Sequence, residues 1–508
     1  MVNDVPTIVF RADAGLHIGS GHVMRCLALA AALRELGSRC HFVCRAQEGH
    51  LGALIEAHGH TLHLLPQGTD ESSDAVRTLQ AIDGLRPDWL VVDHYELDAR
   101  WEQRVGTCAD QCLAIDDLAD RPHAVAMLVD QNLQSRPNRY AGCLDAGSRT
   151  LLGPRYALLR REFAASRGNQ RLRDGRLRRV LATAGGVDQT DLLSKVVAAW
   201  AALPASQRPE LALVVGRSSP NLASLRSLSE RHPGCSLHVQ TERMAELIAD
   251  SDLMITAAGS VNWERCCLGV PALLCSTASN QDDNLVQLAR SRTAIGLGEA
   301  GALEVHTLGD MLARLARRPS LLRRMSRRAS SLVDGLGAWR VAVAMLGGRL
   351  ALQPAGPDDA ELAWRWRNHE STRRWSIGTE PIALEAHLGW WQASLGNTAR
   401  SLLIARIGAL PVGVLRLDHE GPDSTVSIYL SPDFTGLGLG QRVLHEGRRW
   451  LRSRRPETQR LLAVIRPDNL ASAQAFTAAG FHRRASDDLW VCETGPAPRT
   501  RPAAGHHS

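Results

Sequence analysis

Arg11, Asp13, Gly19, Gly21, His22 and Arg25 lie in one fifteen-residue segment, between an apolar run (Thr7 to Phe10) and an apolar helical stretch. Glycines at 19 and 21 remove side chains where a phosphate would approach the backbone. A helix opening near His22 would aim free N–H groups and its positive dipole end at that anion. An imidazole, with an unperturbed pKa of about 6.5, accepts a proton near neutral pH, which suits His22 to general-base work. Asp13, just past the predicted strand, would orient that histidine or cap the loop. A second glycine turn, Thr435-Gly436-Leu437-Gly438-Leu439-Gly440-Gln441, follows another apolar run and opens another helix. Its successive N–H groups would cradle a pyrophosphate.

These turns need strands to deliver them. Apolar runs at Thr7–Phe10, Cys40–Cys44, Leu62–Leu65, Trp89–Val92, Cys112–Ile115 and Met127–Val129 alternate with helical stretches. A second series follows the arginine-rich stretch Arg167 to Arg179: Val180–Ala184, Leu211–Val215, Ser236–Val239, Leu253–Thr256 and Pro271–Cys275. Strand, loop and helix in that order predict α/β architecture with two doubly wound parallel sheets, each a Rossmann-like half of a GT-B-type fold, with ligand in the cleft between them. From residue 349 mixed strands surround one glycine-led helix, and a different α/β unit is expected. The predicted divisions are 1–172, 173–346, 349–495 and a disordered proline-bearing tail, 496–508.

Bulk composition narrows the function. At 508 residues the chain exceeds one core, and its net charge of +6 is modest. Lys195 is the only lysine, so the arginine excess reflects composition rather than a nucleic-acid surface, and Arg323, Arg324, Arg327 and Arg328 are expected on a solvated helix face. Eleven cysteines without C-x-x-C pairs or secretory features predict reduced thiols, no metal and a cytoplasmic protein. No apolar window long enough to span a membrane is expected.

The pattern R-x-D-x-x-x-x-I-G-x-G-H-x-x-R, met from Arg11 to Arg25, resembles the N-terminal motif of the PseG family, UDP-sugar hydrolases of pseudaminic acid biosynthesis. The resemblance implies that His22, rather than His17, is catalytic, with water displacing UDP at the anomeric carbon. Asp13 would then orient His22 or a sugar hydroxyl. Asp93-His94-Tyr95 resembles the family's D-H-Y and makes Tyr95 a second active-site residue. Gly19, Gly21, Gly185 and Gly186 would hold the diphosphate through backbone N–H groups. Ala257 to Glu264 resembles the nucleotide loop of this fold class, with Ser260 in the loop and Glu264 on the ribose hydroxyls. Asn280-Gln281 resembles the family's A-x-N-Q and would touch sugar or phosphate. Adjacent carboxylates Asp116 and Asp117 would point apart and hold no metal.

Asn469, Phe476, Gly480 and Phe481 fit N-x-x-(A/S)-x-x-x-(Y/F)-x-x-x-G-F, which with the turn at 435–441 resembles GNAT acetyltransferases. That implies acetyl-CoA beside Gly436, Gly438, Gly440, Asn469 and Phe476. Thr435 replaces the usual Arg or Gln, and Phe476 replaces a tyrosine that often protonates the leaving thiolate. His369, His387 and Glu370 are candidates to deprotonate the amine. Trp364-Arg365-Trp366-Arg367-Asn368 and His387-x-x-Trp390-Trp391 resemble PseH, the acetyltransferase acting before PseG, with Trp stacking on uracil or sugar and Arg reading the diphosphate. The implied chain is bifunctional, N-acetylating a UDP-4-amino sugar and hydrolysing the UDP-2,4-diacetamido product, and tethering raises the intermediate's effective concentration. The alternative is a hydrolase or glycosyltransferase for a related UDP-sugar, with a degenerate acyl-CoA-binding module. No nucleic-acid or membrane partner is expected, and the sequence does not specify an oligomeric state.

Overall fold

The computed structural model describes residues 5–68, 70–133, 138–168, 173–484 and 489–494; the expected tail, 496–508, lies outside them. The chain forms two compact units, Met1–Val341 and Ala342–Ser508.

The first unit holds two parallel sheets. One contains β1 (Thr7–Ala12), β2 (Arg39–Arg45), β3 (Thr61–Leu65), β4 (Trp89–Asp93), β5 (Gln111–Ile115), β6 (Met127–Asp130) and β7 (Arg149–Leu152), in the order β3-β2-β1-β4-β5-β6-β7. The other contains β8 (Arg179–Thr183), β9 (Glu210–Val215), β10 (Cys235–Val239), β11 (Leu253–Ala257), β12 (Ala272–Ser276) and β13 (Ala294–Glu299), in the order β10-β9-β8-β11-β12-β13. Central strands such as β4 and β11 are buried along their whole length, as helices on both faces of a parallel sheet require. Winding reverses between β1 and β4 and between β8 and β11, where strand ends open a crevice suited to a ligand. The sequence did not reveal β7 and β13. Both are edge strands, β7 half-exposed and β13 broken by Gly296 and Gly298, so neither carries a strong apolar period.

The arginine-rich stretch between the lobes is not merely a connector. Helix Arg161–Gly168 seats Phe163 in a core with Leu181, Met254 and Trp263, so packing of the second lobe begins upstream of residue 173. Arg167 donates to the carbonyls of Cys267, Ser330 and Val333, and Arg173 to those of Ala249, Ser251 and Leu268. Most of these carbonyls lie at helix C-terminal ends, where a cation is favourable. Helix Gly337–Leu346 returns to the crossing segment: a Cβ at Gly337 would lie 2.2 Å from the Ala157 oxygen, and Arg340 donates to the Arg155 carbonyl.

Contrary to the sequence expectation, the stretch Pro319–Arg349 is long and apolar enough by composition to cross a membrane. It is interrupted between Leu332 and Gly337, and 67% of its apolar window is buried inside the fold, as in a core helix. Arg323, Arg324, Arg327 and Arg328 are exposed, and all eleven cysteines are free thiols.

The second unit is a mixed sheet of β14 (Ala351–Pro354), β15 (Arg400–Ile407), β16 (Leu410–Glu420), β17 (Asp423–Leu430), β18 (Arg460–Val464), β19 (His482–Arg483) and β20 (Leu489–Glu493), in the order β14-β15-β16-β17-β18-β20-β19. β17 and β18 are its parallel neighbours. They pair only through Asp423–Thr425 and Arg460–Leu462, then part beside the helix Leu439–Arg454.

Candidate active sites

Helix Gly21–Glu35 begins directly after the β1 loop, and its Ala- and Leu-rich sequence favours helix throughout. It ends at Gly37, whose φ of 90° lets the Gly37 and Ser38 amides turn back onto the carbonyls of Arg34 and Leu33. His22 and Arg25, one turn apart, share a face of this helix and meet Asp93 at the end of the adjacent β4. His22 Nδ1 lies 2.5 Å from Asp93 Oδ1, and Arg25 donates to both Asp93 oxygens at 2.6 Å. Burial pushes the Asp93 carboxyl up, but the charges of Arg25 and then His22 outweigh it and hold it well below the usual carboxylate range. The Tyr95 ring packs edge-on against His22, with centroids 4.6 Å apart. Burial first and Asp117 second raise its phenol above the ordinary range, so it stays protonated.

These groups line a cavity between the two lobes that opens to solvent. The first lobe contributes Ile18, Gly21, His22, Arg25, Tyr95, Asp117, Gln131 and Asn132. The second contributes Ala258, Gly259, Ser260, Asn280, Gln281 and Asn284. The lobes are close here: a Cβ on Gly21 would stand 3.7 Å from Ser260 Oγ. Gln281 Oε1 accepts from the Thr277 amide and hydroxyl, which leaves its NH2 as the free end.

Several expected residues stand elsewhere. Asp13 does not reach His22. It is buried under Arg11, His94 and the Arg45 amide, and these partners use its lone pairs, so Asp93 takes the orienting position assigned to Asp13. Burial pushes the Asp13 carboxyl up, but His94 and Arg11 together hold it far below its usual range. Gly19, at φ 79°, exchanges both backbone hydrogen bonds with Gly15, so its amide is committed to the turn rather than to a phosphate. Gly185 and Gly186 do not line the cavity; the Gly185 amide donates to Thr183 Oγ1, and Gly186 faces Ser20 across the lobes. Glu264 also lies outside the lining, one turn beyond Ser260 and 3.9 Å from Arg160. Burial raises its carboxyl to about 7, Arg160 opposing this and Glu162 adding to it. Asp116 turns inward to Arg121 and Tyr140 while Asp117 lines the cavity, so the adjacent carboxylates do part.

Arg25, Asp117, Gln131, Asn132 and Asn284 were not assigned roles from sequence. The i, i+3 spacing of His22 and Arg25 was the available signal for the first; Asp117 is brought in by the end of β5, Gln131 and Asn132 by the end of β6, and Asn284 by the helix Asp282–Arg290.

In the second unit Gly436 and Gly438 adopt φ of 78° and 76°, a left-handed pair that turns the chain into the sixteen-residue helix Leu439–Arg454. A Cβ on Gly438 would meet nothing within 4 Å, whereas Gly440 faces Ala475 and Ile428 in the packing. Asn469 caps the helix Leu470–Ala478 by accepting the Ser472 amide, and Phe476 is buried edge-on against Phe481. His369 likewise caps the short helix that follows it, in whose first turn Glu370 lies. His387 is buried between Trp390 and Trp391 with Nε2 lacking a partner among the described residues, and burial lowers its pKa. Trp366 and Trp391 are core, while Trp390 stays partly exposed beside Arg400 and Arg416. Arg367 and Arg373 each donate to a loop carbonyl, of Gly378 and Thr379, but Arg367 Nη1 and Arg373 Nε are buried without partners among the described residues.

Residues 180–336 match the glycosyltransferase family 28 C-terminal domain, and residues 349–482 match the acetyltransferase (GNAT) domain. Spore coat polysaccharide biosynthesis protein SpsG of Bacillus subtilis is 27% identical over 65% of this chain and 95% of its own length. The UDP-2,4-diacetamido-2,4,6-trideoxy-beta-L-altropyranose hydrolase of Campylobacter jejuni is 24% identical over 56% of this chain and 96% of its own. The uncharacterized protein MJ1062 of Methanocaldococcus jannaschii is 21% identical over 96% of this chain and 99% of its own. The chain therefore joins a two-lobed GT-B-type region, its second lobe of the glycosyltransferase 28 type, to a C-terminal GNAT acetyltransferase domain.

Proposed function

We propose that the two-lobed region hydrolyses a UDP-linked diacetamido sugar and that the GNAT unit N-acetylates the corresponding UDP-linked 4-amino sugar. The observation that carries the hydrolytic reading is His22, held through Nδ1 by Asp93 at the mouth of the inter-lobe cavity. That contact leaves Nε2 for the cleft. Nε2 takes a proton from water as the water oxygen bonds to the anomeric carbon, and the bond from that carbon to the diphosphate oxygen breaks with its electron pair leaving on UDP. Asp93 fixes the tautomer, and Arg25 fixes Asp93. Similarity to the Campylobacter hydrolase favours this substrate class.

In the GNAT unit, the left-handed Gly436 and Gly438 and the parting of β17 from β18 fit the pyrophosphate and arm of acetyl-CoA. Acetyl-CoA, when bound, supplies an activated acetyl thioester to the attacking amine. Arg367 and Arg373, with buried N–H groups unmatched, favour an acceptor that carries phosphate. Phe476 cannot donate a proton to the departing thiolate.

The test is mass spectrometry of the full chain incubated with UDP-4-amino-4,6-dideoxy-N-acetyl-altrosamine, with and without acetyl-CoA. Free diacetamido sugar and UDP should appear only with acetyl-CoA, and His22→Ala should stop the reaction at the acetylated nucleotide. UDP release by that variant within a few-fold of the parent would remove His22 as base.

A further inference from the structure

Among the described residues, two oxygen acceptors without partners are held on opposite walls of the cleft. Asn284 is only 7% exposed, and its Nδ2 donates to the Ala258 carbonyl at 2.6 Å, which fixes the amide's orientation and leaves Oδ1 as an acceptor without a donor. Across the cleft, Arg25 takes Oδ2 of Asp117 at 3.1 Å and the Tyr95 phenol lies near the same carboxylate, while Oδ1 is buried with no donor at hydrogen-bond distance among the described residues. Both residues line the cavity that contains His22. Arg139 ties their supports together: it donates to the Asp117 carbonyl and stands 3.7 Å from Asp283, the neighbour of Asn284.

A buried acceptor without a donor is costly, and a bound group that donates removes the cost. Diphosphate oxygens cannot do so, and the Asp117 carboxylate would repel them. Because Arg25 bonds both Asp117 and the Asp93 that holds His22, Asp117 lies beside the reacting end of the ligand, where the sugar sits. An ionised carboxylate and a pinned amide oxygen only accept, whereas an acylamino N–H only donates. We infer that Asp117 and Asn284 are specificity-determining acceptors that read N–H donors on the sugar from opposite lobes. This rests on the reading of the cleft as a UDP-sugar site, and adds that acylamino groups are what it selects.

Calorimetry on the full chain carrying His22→Ala, which prevents turnover, tests it with two probes: UDP, and UDP-2,4-diacetamido-2,4,6-trideoxy-beta-L-altropyranose. Adding Asn284→Leu should weaken the sugar nucleotide by about tenfold or more and leave UDP within about twofold. Asp117→Asn, from the other lobe, should give the same split. Equal weakening of both probes, or no weakening of either, overturns the inference. So does a sugar nucleotide that binds the unaltered Asn284 chain no more tightly than UDP. Failure of that chain to bind either probe defeats the UDP-sugar reading itself, a result distinct from the others.

Discussion

Replacing Asp93 by Asn tests the arrangement around His22 most directly. Asp93 is fully buried and accepts from Arg25 Nε, Arg25 Nη2 and His22 Nδ1. Asparagine offers one acceptor oxygen where the carboxylate had two. If that oxygen faces Arg25, the new NH2 faces His22 Nδ1, which must then accept, and the ring proton moves to Nε2. The cleft nitrogen loses the lone pair that general-base work requires. If the oxygen faces His22 instead, an NH2 meets guanidinium N–H groups. Losing the correct tautomer in such a constellation costs about a thousandfold or more in kcat. Asp117 would be the only charged partner left to Arg25, and breaking a buried ion pair in this way lowers stability by about 3 kcal/mol. Release of UDP followed by chromatography, beside a thermal melt, measures both. A folded Asp93→Asn chain with kcat within tenfold of the parent would refute the reasoning.

Three further outcomes are expected. Burial alone would lower the His123 pKa, but Asp116 and Glu102, the latter 2.7 Å away, push it up to about 9. Its folded-state value exceeds the unfolded one, so its contribution is complete below about pH 6.5 and is lost as pH rises through about 9, by roughly 2 to 3 kcal/mol. Melting temperatures should therefore fall across that window in the parent and less in His123→Gln; parallel profiles would contradict this. Gly438→Val places a β-branched residue at φ 76°, where the strain is about 1 to 2 kcal/mol or more although the space is open. It should abolish coenzyme A binding by calorimetry and leave UDP release from the diacetamido nucleotide sugar unchanged, and retained binding would move the pyrophosphate elsewhere. Arg367→Met should raise KM for the nucleotide-linked amine about tenfold and leave that for acetyl-CoA alone; unchanged acceptor KM would remove Arg367 from recognition.

Local sequence carried the central strands and the glycine turns of this protein, but not the edge strands β7 and β13. Buried parallel strands are near-continuous apolar runs, and the glycines at 21, 436 and 438 mark places where a chain leaves a strand and opens a helix, so local chemistry exposed β1, β4, β8, β11 and the turn before Leu439. Gly21 and His22 were legible in the same way, Tyr95, Ser260, Asn280 and Gln281 through the family resemblance, and all six line the cavity. Tertiary structure decided what surrounds them. Asp13 and Asp93 both follow strands and look equally able to hold a histidine in sequence. Only the pairing of β1 with β4, which sets Ala12 beside Asp93, and the burial of Asp13 under Arg11 chose between them. Asn284 and Asp117 become a facing pair because two separate sheets close one cleft, a relation with no local signature. Periodicity and turn chemistry act over a few residues, whereas the polarity of a site depends on which partners folding leaves unmatched.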